Sequence, residues 1–431
     1  MGAEMLLQYL WEHRLWERRD MFTTQGAPVT VIDPGRRNND AGPDFFNAKI
    51  LIDGHMWAGN VEIHVKASDW HRHRHHLDPA YDTVILHVVG DNDTTISRRD
   101  GRPVPQLVLP YTPDYRARYE EMVNDTSSRL PCMAELADIS PLYITDWITS
   151  LGYERLYAKV DRIMDYHARL GGDWLATAYV TLSRALGFST NAEPFERLAF
   201  ATPLRAMLKH RDDPASVEAV LYGQAGLLDT EPTDDDDREY IGRLRENYRF
   251  LSTKYGLKAP ASPGWRLGRM RPPNFPHRRI ATLAAMIMSG FEFGRNFIHV
   301  NNEEDARRLL KVELGGYWVN HYTFGRRSAH APRALSADSV TSLIINAVVP
   351  LLYAYGTQYG SDSRCAAAVE LLESLAPEKN SVVSIFTDAG IACDNAFSSQ
   401  ALIQLRRAYC EPRKCLYCRV GHRILASKAR P

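Results

Sequence analysis

The sequence predicts an N-terminal α/β domain with a mixed central sheet, followed by a mostly α-helical domain. Strand-type alternation of apolar and polar residues occurs almost entirely before Leu130, and helical periodicity replaces it afterwards. The composition is that of an ordinary globular chain, with 45% hydrophobic residues and 52 basic residues against 52 acidic ones. We therefore expect two domains, at residues 1–126 and 127–431.

The elements of the first domain follow from local patterning. Residues 4–18 have the spacing of an amphipathic helix, and turn residues such as Asp53-Gly54 bound the strands. Four strands are predicted, at residues 28–32, 47–53, 57–66 and 83–89. The last of them, TVILHVV, is apolar on both faces, which is typical of a central strand.

Helical periodicity dominates the second domain. Helices are predicted near residues 141–169, 174–187, 194–209, 215–228, 236–255, 277–290, 302–310, 337–355, 362–375 and 398–409. The apolar stretch from Leu343 to Tyr355 contains Asn346 and Pro350 and is shorter than the roughly 20 residues of a membrane span. We interpret it as a buried core helix with a kink.

The chain shows no sign of export. Its first residues, MGAEMLLQYLWEHRLW, lack a basic start, a long apolar run and a small-residue cleavage site. Three of the six cysteines crowd near the C-terminus, which favours metal ligation in a reducing compartment over disulfides. We expect a cytoplasmic protein that does not associate with membranes.

Polar and apolar residues alternate in the third predicted strand. In VEIHVK, residues 61–66, the three apolar side chains share one face, and Glu62, His64 and Lys66 share the other. Asp44 opens the preceding strand. Two carboxylates on neighbouring strands are what a magnesium site for phosphodiester hydrolysis requires. The alternative is a half-buried strand with a solvated polar face.

These residues resemble the motif of the PD-(D/E)xK nuclease superfamily. The likeness covers about residues 1–95: a helix carrying Glu4, a strand opening with PD at Asp44, and a strand carrying Glu62 and His64. It implies a restriction-endonuclease-like domain and a nuclease that cleaves DNA or RNA. It also implies that Asp44 and Glu62 bind Mg²⁺, that His64 or Lys66 positions water, and that Glu4 assists.

One position departs from the motif, because His64 stands where the superfamily has lysine. A histidine, whose pKa lies near neutrality, could hold the attacking water or act as general base. Alternatively Lys66 or Lys49 supplies the lysine function, and Gln8 assists in place of Glu4. If none of them reaches the metal, the chain is a non-catalytic nucleic-acid-binding or scaffold protein with a degenerate site.

A second resemblance spans nearly the full length. It is carried by GPDFFNAKI, GNVEIHV, SDWHRHRHHLDPAYDTVILHVV, RPPNFPHRRIA and SQALIQL, which the last cysteines follow. These stretches look like a bacterial family of unknown function that is common in Bacteroidetes. This resemblance implies no particular activity.

The segment DWHRHRHHLD holds four histidines and two aspartates. His71 and His75 have the i, i+4 spacing with which a helix can bind zinc, and Asp78 could add a ligand. A zinc hydrolase using these three residues is a further hypothesis. Arg72 and Arg74 in the same segment are expected to contact nucleic-acid phosphates.

Basic residues concentrate in two further segments of a chain without net charge, one of which is residues 405–431, with eight Lys or Arg against the single Glu411. Residues 264–279 contain five arginines and no acid, and Arg271, Arg278 and Arg279 are expected to contact nucleic acid. The alternative is that these arginines are solubilising or ion-pairing groups.

The strongest local metal signal is Cys410-x4-Cys415-x2-Cys418. With Cys393 or His422 as the fourth ligand, the thiols could hold a structural zinc ion. An iron–sulfur cluster and a set of reduced structural thiols are the alternatives. If zinc is bound, the sulfurs should lie within about 4 Å of one another.

Overall fold

The chain divides into two compact units. The computed structural model describes residues 2–16, 20–38, 40–111, 113–124, 129–259, 264–268, 270–329 and 331–427. One unit comprises Met1–Ile144 together with Arg407–Pro431, and the other comprises Thr145–Arg406. The predicted boundary at residue 126 lies outside the described residues. The structure places the division after Ile144, and it assigns the C-terminal segment to the first unit.

A mixed sheet forms the centre of the first unit, as the sequence predicts. Its strands are β1 (Met21–Phe22), β2 (Pro28–Asp33), β3 (Arg36–Arg37), β4 (Phe45–Ile52), β5 (His55–Lys66), β6 (Val84–Asp91) and β7 (Gln106–Val108). Their order is β1-β2-β4-β5-β6-β7, and β3 also pairs with β4. The β5-β6-β7 pairings are parallel and the others are antiparallel. The short strands β1, β3 and β7 were not predicted.

The sheet curves until its two edges nearly meet. The backbone N–H of Thr24, just after β1, donates to the carbonyl of Gln106 at the start of β7 (2.8 Å). Such closure pairs backbone groups that an open edge would leave free. The result is a nearly closed, barrel-like arrangement.

The core of the first unit explains why these strands form. Val61 and Ile63 of β5 are fully buried beside Leu86 and Val88 of β6. Strand β6 is buried on both faces from Val84 to Val89, which confirms the prediction of a central strand. Burial of each such side chain contributes about 1.5–3 kcal/mol.

The helices of the first unit are fewer and shorter than those of the second. They are Gly2–Glu12, Asp69–Arg72, Pro113–Asn124 and Arg419–Ser427, with 3₁₀ turns at His75–Leu77, Pro79–Tyr81, Met133–Asp138 and Cys415–Tyr417. A π-helical stretch at Leu405–Cys410 begins in the second unit and ends in the first. The first helix was predicted to reach residue 18. It ends at Glu12 because Arg14 adopts a left-handed backbone (φ 54°) and Leu15 bonds back to the carbonyl of Leu10.

The second unit is helical and closely follows the prediction. Its α-helices are Pro141–Arg169, which begins in the first unit, Trp174–Leu186, Ala192–Ala201, Leu204–Leu208, Pro214–Gln224, Asp235–Tyr255, Pro276–Met288, Glu292–Asn296, Glu303–Leu309, Ala337–Leu343, Val349–Gln358, Asp362–Ser374, Ser381–Asp388 and Ala396–Gln404. The predicted helix at 194–209 is split, because Pro203 disfavours helical geometry at Thr202. The helices at Glu292–Asn296 and Ser381–Asp388 were not predicted. A small hairpin pairs His321–Thr323 with Arg326–Arg327.

One helical run could cross a membrane by length and composition. It extends over Ala337–Gln358, and 61% of its apolar window is buried inside the structure. A π-helical turn at Ile344–Val348 precedes Pro350 and interrupts the α-helical bonding there. The run is a buried core helix with a local irregularity, as predicted.

Candidate metal centre

A β-bulge in β4 brings Asp44 to the same side of the sheet as Glu62. Phe45 pairs with Val61, whereas Ala48 pairs with Gly59, so β4 contains one extra residue between them. Asn47 lies in this bulge with φ 57°, a left-handed conformation that asparagine tolerates better than most residues. Continued from Phe45, the register sets Asp44 opposite Glu62. Without the extra residue Asp44 would face Ile63, on the other side of the sheet.

Hydrogen bonds from backbone N–H groups hold the carboxylates of Asp44 and Glu62 next to each other. The N–H of Asp44 donates to Glu62 Oε2 (3.0 Å), and the N–H of Ile63 donates to Asp44 Oδ2 (3.0 Å). Gln8 of the first helix donates to Asp44 Oδ1 (2.9 Å). Glu62 is 5% exposed. The structure therefore places the predicted pair side by side, with Gln8 as the helix residue that contacts it.

Two imidazoles contact Glu62, and a third contacts one of these two. Glu62 Oε1 lies 3.5 Å from His64 Nε2 and 3.3 Å from His75 Nε2. His64 Nε2 lies 3.1 Å from His73 Nδ1. Among the described residues, His64, His73 and His75 form the group of three ligand atoms within 4.8 Å of one another. Three histidine nitrogens thus form one cluster, and Glu62 contacts two of the three imidazoles.

Two further side chains hold the imidazoles in place, and neither was predicted as a site residue. His87 Nε2 on β6 lies 2.8 Å from His64 Nδ1, so His64 can donate there and keep Nε2 free. Tyr81 stacks on His75 with ring centroids 3.8 Å apart. His75 Nε2 is buried and, although Glu62 Oε1 lies 3.3 Å away, it forms no hydrogen bond, as expected of a ligand atom.

Burial sets the protonation of the centre. It raises the pKa of Asp44 to about 7, with a further contribution from the charge of Glu62, and raises the pKa of Glu62 to about 8. It lowers the pKa of His64 to about 2 and that of His87 to about 3, since neighbouring imidazoles also repel a proton. At neutral pH the imidazoles of His64 and His87 are therefore neutral, the form of histidine that binds metals.

The remaining predicted catalytic residues lie at different distances from this centre. Glu4 is half-buried on the first helix, and its charge raises the pKa of both Asp44 and Glu62. Lys66 is exposed, and its charge acts on Asp93 instead. Lys49 is also exposed, on β4. His64, at the lysine position of the motif, is therefore the predicted water-positioning residue that reaches Glu62.

A family model described as "Protein of unknown function (DUF2851)" matches residues 4–381. The chain belongs to this family. The match includes the strands and histidines of the centre and ends before Cys410, so the predicted likeness at SQALIQL and the cysteines lies outside it. No curated protein and no solved structure matches the chain. The likeness to PD-(D/E)xK nucleases therefore stands on the motif residues alone.

The predicted zinc set of His71, His75 and Asp78 is not assembled. The helix that should align His71 with His75 ends at Arg72, and Arg74 then turns the chain with φ 64°. His71 packs on His76 instead (4.8 Å), and Asp78 accepts from the N–H of Ala80. This turn is what directs His73 and His75 toward His64.

The arginines predicted to contact nucleic acid fall into two groups. Arg72 and Arg74 are exposed on the segment of residues 69–78, here called the histidine loop, where Arg72 pairs with Asp69 (3.0 Å). Arg278 and Arg279 are each 2% exposed, so they are not the surface groups that the sequence suggested.

These buried arginines have protein partners, whereas Arg271 is exposed. Arg278 donates to the backbone carbonyls of Trp318, His321 and Pro332. Arg279 donates to the side chains of Asn274 and Ser339. Arg271 lines a cleft together with both of them.

The C-terminal cysteines form a turn without the convergence predicted for zinc. The N–H of Cys418 bonds to the carbonyl of Cys415 (3.3 Å), but no group of three cysteines among the described residues meets the 4.8 Å spacing. His422 contacts the hydroxyl of Tyr9 (2.6 Å). Cys132 is a neighbour of these cysteines that was not predicted. Burial, together with the charges of Cys418 and Cys415, raises the pKa of the Cys132 thiol to about 12.

Cys393 belongs to the other unit, Thr145–Arg406, where its Sγ approaches the carbonyl of Asn395 (3.9 Å). A zinc ion or iron–sulfur cluster at the C-terminal cysteines stays a prediction.

Proposed function

We propose that this chain is a metal-dependent hydrolase that cleaves phosphodiester bonds of nucleic acids. The observation that carries the proposal is the convergence of Glu62, His64, His73 and His75. The ligand nitrogens of the three histidines lie within 4.8 Å of one another, with His64 Nε2 3.1 Å from His73 Nδ1. Glu62 Oε1 lies 3.5 Å from His64 Nε2 and 3.3 Å from His75 Nε2. The edge of a tetrahedron around a metal with bonds of 2.0–2.1 Å is about 3.3 Å.

The ligand types favour a divalent first-row transition ion over magnesium. Imidazole nitrogens suit zinc, iron, copper and nickel, whereas magnesium takes oxygen ligands and retains several waters. The arrangement thus supports Glu62 as a metal ligand, as expected from the sequence. The other ligands would be histidines instead of Asp44. The hydrogen bond from His64 to His87 would fix the ring in its ligand orientation.

Asp44 is the residue that we assign as general base. A bound ion would supply Lewis-acid chemistry to the phosphoryl group. The pKa of Asp44, raised to about 7 by burial and by Glu62, lies where a base is most effective at neutral pH. Gln8 and the N–H of Ile63 hold its two oxygens. His73 is exposed, so the centre has an open side through which substrate can approach.

The charge of the histidine loop supports an anionic substrate. Arg72 and Arg74 lie on the same loop as His73 and His75, and both are exposed. Exposed arginines beside a buried metal site suit the phosphates that flank a scissile bond. Phosphodiesters are therefore preferred to neutral esters as the substrate class.

The test is metal-dependent cleavage by the full chain. Protein stripped with a chelator is reloaded with zinc, manganese or magnesium and assayed on single- and double-stranded DNA, RNA and a carboxylic ester. We expect phosphodiester cleavage with a transition ion, lost at least a hundredfold in Asp44→Asn and Glu62→Gln. His71→Ala is the matched control, since His71 lies in the same loop and packs on His76 outside the centre.

The outcomes separate the rival functions. Nucleic-acid binding without cleavage under any metal would favour the non-catalytic scaffold. Cleavage of the ester but of no phosphodiester would keep the hydrolase and overturn its substrate. Equal loss in His71→Ala and His73→Ala would contradict the ligand assignment.

A further inference from the structure

A cleft in the second unit is unusually rich in arginine. It has a volume of about 350 Å³, and its walls include Arg271, Arg278, Arg279, Asn274 and Ser339. This volume lies at the lower end of the range for small-molecule sites. The proline-rich segment RPPNFPHRR supplies one wall, and Pro272 and Pro273 restrict its backbone.

Arg279, which lines this cleft, has an unused hydrogen-bond donor. Its side chain is 2% exposed, and one terminal nitrogen donates to Asn274 Oδ1 (2.5 Å) and Ser339 Oγ (2.9 Å). Its Nε is buried without any hydrogen-bond partner. Because buried polar groups are almost always paired, an orphaned guanidinium nitrogen in a cavity wall indicates a missing acceptor.

The positive charge of the cleft is also uncompensated. In the described part of the chain, neither Arg278 nor Arg279 forms an ion pair with a carboxylate. Asp338 is the acidic residue of the lining, against three arginines, which leaves two net positive charges. Buried charges are normally paired. Burial and the nearby charge of Arg278 lower the pKa of Arg279 to about 10.

Phe188 covers the guanidinium from one side. Its ring centroid lies 4.6 Å from Arg279 Cζ, and its backbone is left-handed with φ 50°. That conformation is costly for an aromatic residue, and such strain is concentrated at binding sites. The ring fixes the guanidinium plane, so its free edge keeps one orientation.

We propose that this cleft binds the phosphate group of a small molecule, namely inorganic phosphate or a nucleoside monophosphate, through Arg279 and Arg271. A phosphate dianion matches the two net charges and provides acceptors for the free edge of Arg279. Ser339 and Asn274 already orient that side chain, and the exposed Arg271 also lines the cleft. The site is independent of the metal centre and of the hydrolase assignment.

The test is calorimetric titration of the full chain, stripped of metal, with inorganic phosphate, adenosine monophosphate and adenosine. We expect saturable binding of the first two and none of adenosine. Arg271→Glu, at an exposed position, should weaken binding at least tenfold. Arg266→Glu is the matched control, since Arg266 is exposed in the same arginine-rich segment but does not line the cleft.

Arg279→Lys keeps the charge but removes the planar fork, and it should also weaken binding if the variant folds. Absence of saturable binding at millimolar phosphate, or equal binding by wild type and Arg271→Glu, would overturn the site. Binding of oligonucleotides without binding of the monophosphate would replace it with a nucleic-acid surface.

Discussion

Burial disfavours the charged forms of the carboxyl groups of Asp44 and Glu62 and of the neighbouring imidazole of His64. Burial raises the pKa of the carboxyls to about 7 and 8 and lowers the pKa of His64 to about 2. The metal-free centre is therefore close to neutral at pH 7. A divalent ion would displace the carboxyl protons, so its affinity should increase with pH.

The first prediction is that the metal-free protein loses stability between about pH 6.5 and 8. Carboxyl groups whose folded pKa exceeds the unfolded value bind more protons in the folded state, so stability falls as pH rises toward the folded pKa. His64 and His87 act oppositely, but only below about pH 6.5. We expect a loss of the order of 1–2 kcal/mol in urea unfolding.

Glu62→Gln should flatten this pH dependence, because it removes the group with the highest carboxyl pKa. An unfolding free energy that is constant or rises from pH 6.5 to 8 in the wild type would contradict the assigned protonation.

The second prediction is that zinc binding releases protons. Titration at pH 7 in two buffers of different ionisation enthalpy should show about one to two protons released per ion, because Asp44 and Glu62 retain protons in the free protein. Glu62→Gln should release fewer. Binding enthalpies that are identical in the two buffers would show that no proton leaves.

Asp44, Glu62 and His64 could be singled out from the sequence. The nuclease-like motif contains all three, and the two-residue period of a strand places Glu62 and His64 on one face. The sequence could not reveal His73 as a partner, since the direction of that side chain depends on the end of a four-residue helix and a left-handed Arg74. His87 reads as one polar residue in an apolar strand, and only the parallel pairing of β5 with β6 sets it beside His64.

Among the secondary-structure elements, the β-bulge in β4 mainly determines the position of Asp44 relative to Glu62. A strict two-residue alternation along β4 would put Asp44 on the wrong face, and the extra residue near Asn47 corrects it. The alternation of apolar and polar residues therefore predicts which side chains share a face in β5, but it fails for Asp44 at the start of β4. The same limit applies to the first helix, whose early end depends on the left-handed Arg14.

The third prediction concerns Asn47, which is exposed with φ 57°. Asn47→Val should destabilise the fold by about 1–3 kcal/mol, because a β-branched residue is strained in the left-handed region. Asn47→Gly should be nearly neutral, since glycine adopts this conformation freely. Thermal unfolding measures both. Equal stability of the two variants would show that the bulge is not held by this conformation.

At the scale of the whole molecule, the C-terminal segment Arg407–Pro431 belongs to the same unit as the N-terminal segment Met1–Ile144. Leu416 and Leu425, near the C-terminus, are buried in the same core as Leu6 and Trp11. Sequence patterning separates strands from helices along the chain, but it carries no signal for a contact between its two ends. The predicted division into two consecutive domains therefore missed this segment.

The fourth prediction is that residues 1–144 alone do not fold cooperatively. Such a fragment exposes the core surface that Cys415, Leu416 and Leu425 cover. Joining residues 407–431 to it through a flexible linker should restore a cooperative thermal transition. A cooperative transition of the short fragment at the temperature of the joined one would contradict the shared core.

The most direct test of the metal centre is a titration of the full chain with cobalt(II), followed by visible absorption. We predict one ion per chain and the intense visible bands of a four-coordinate site. His73→Ala should weaken binding at least tenfold, and His71→Ala should leave it unchanged. No cobalt bound, or equal binding by these two variants, would contradict a metal centre at Glu62, His64, His73 and His75.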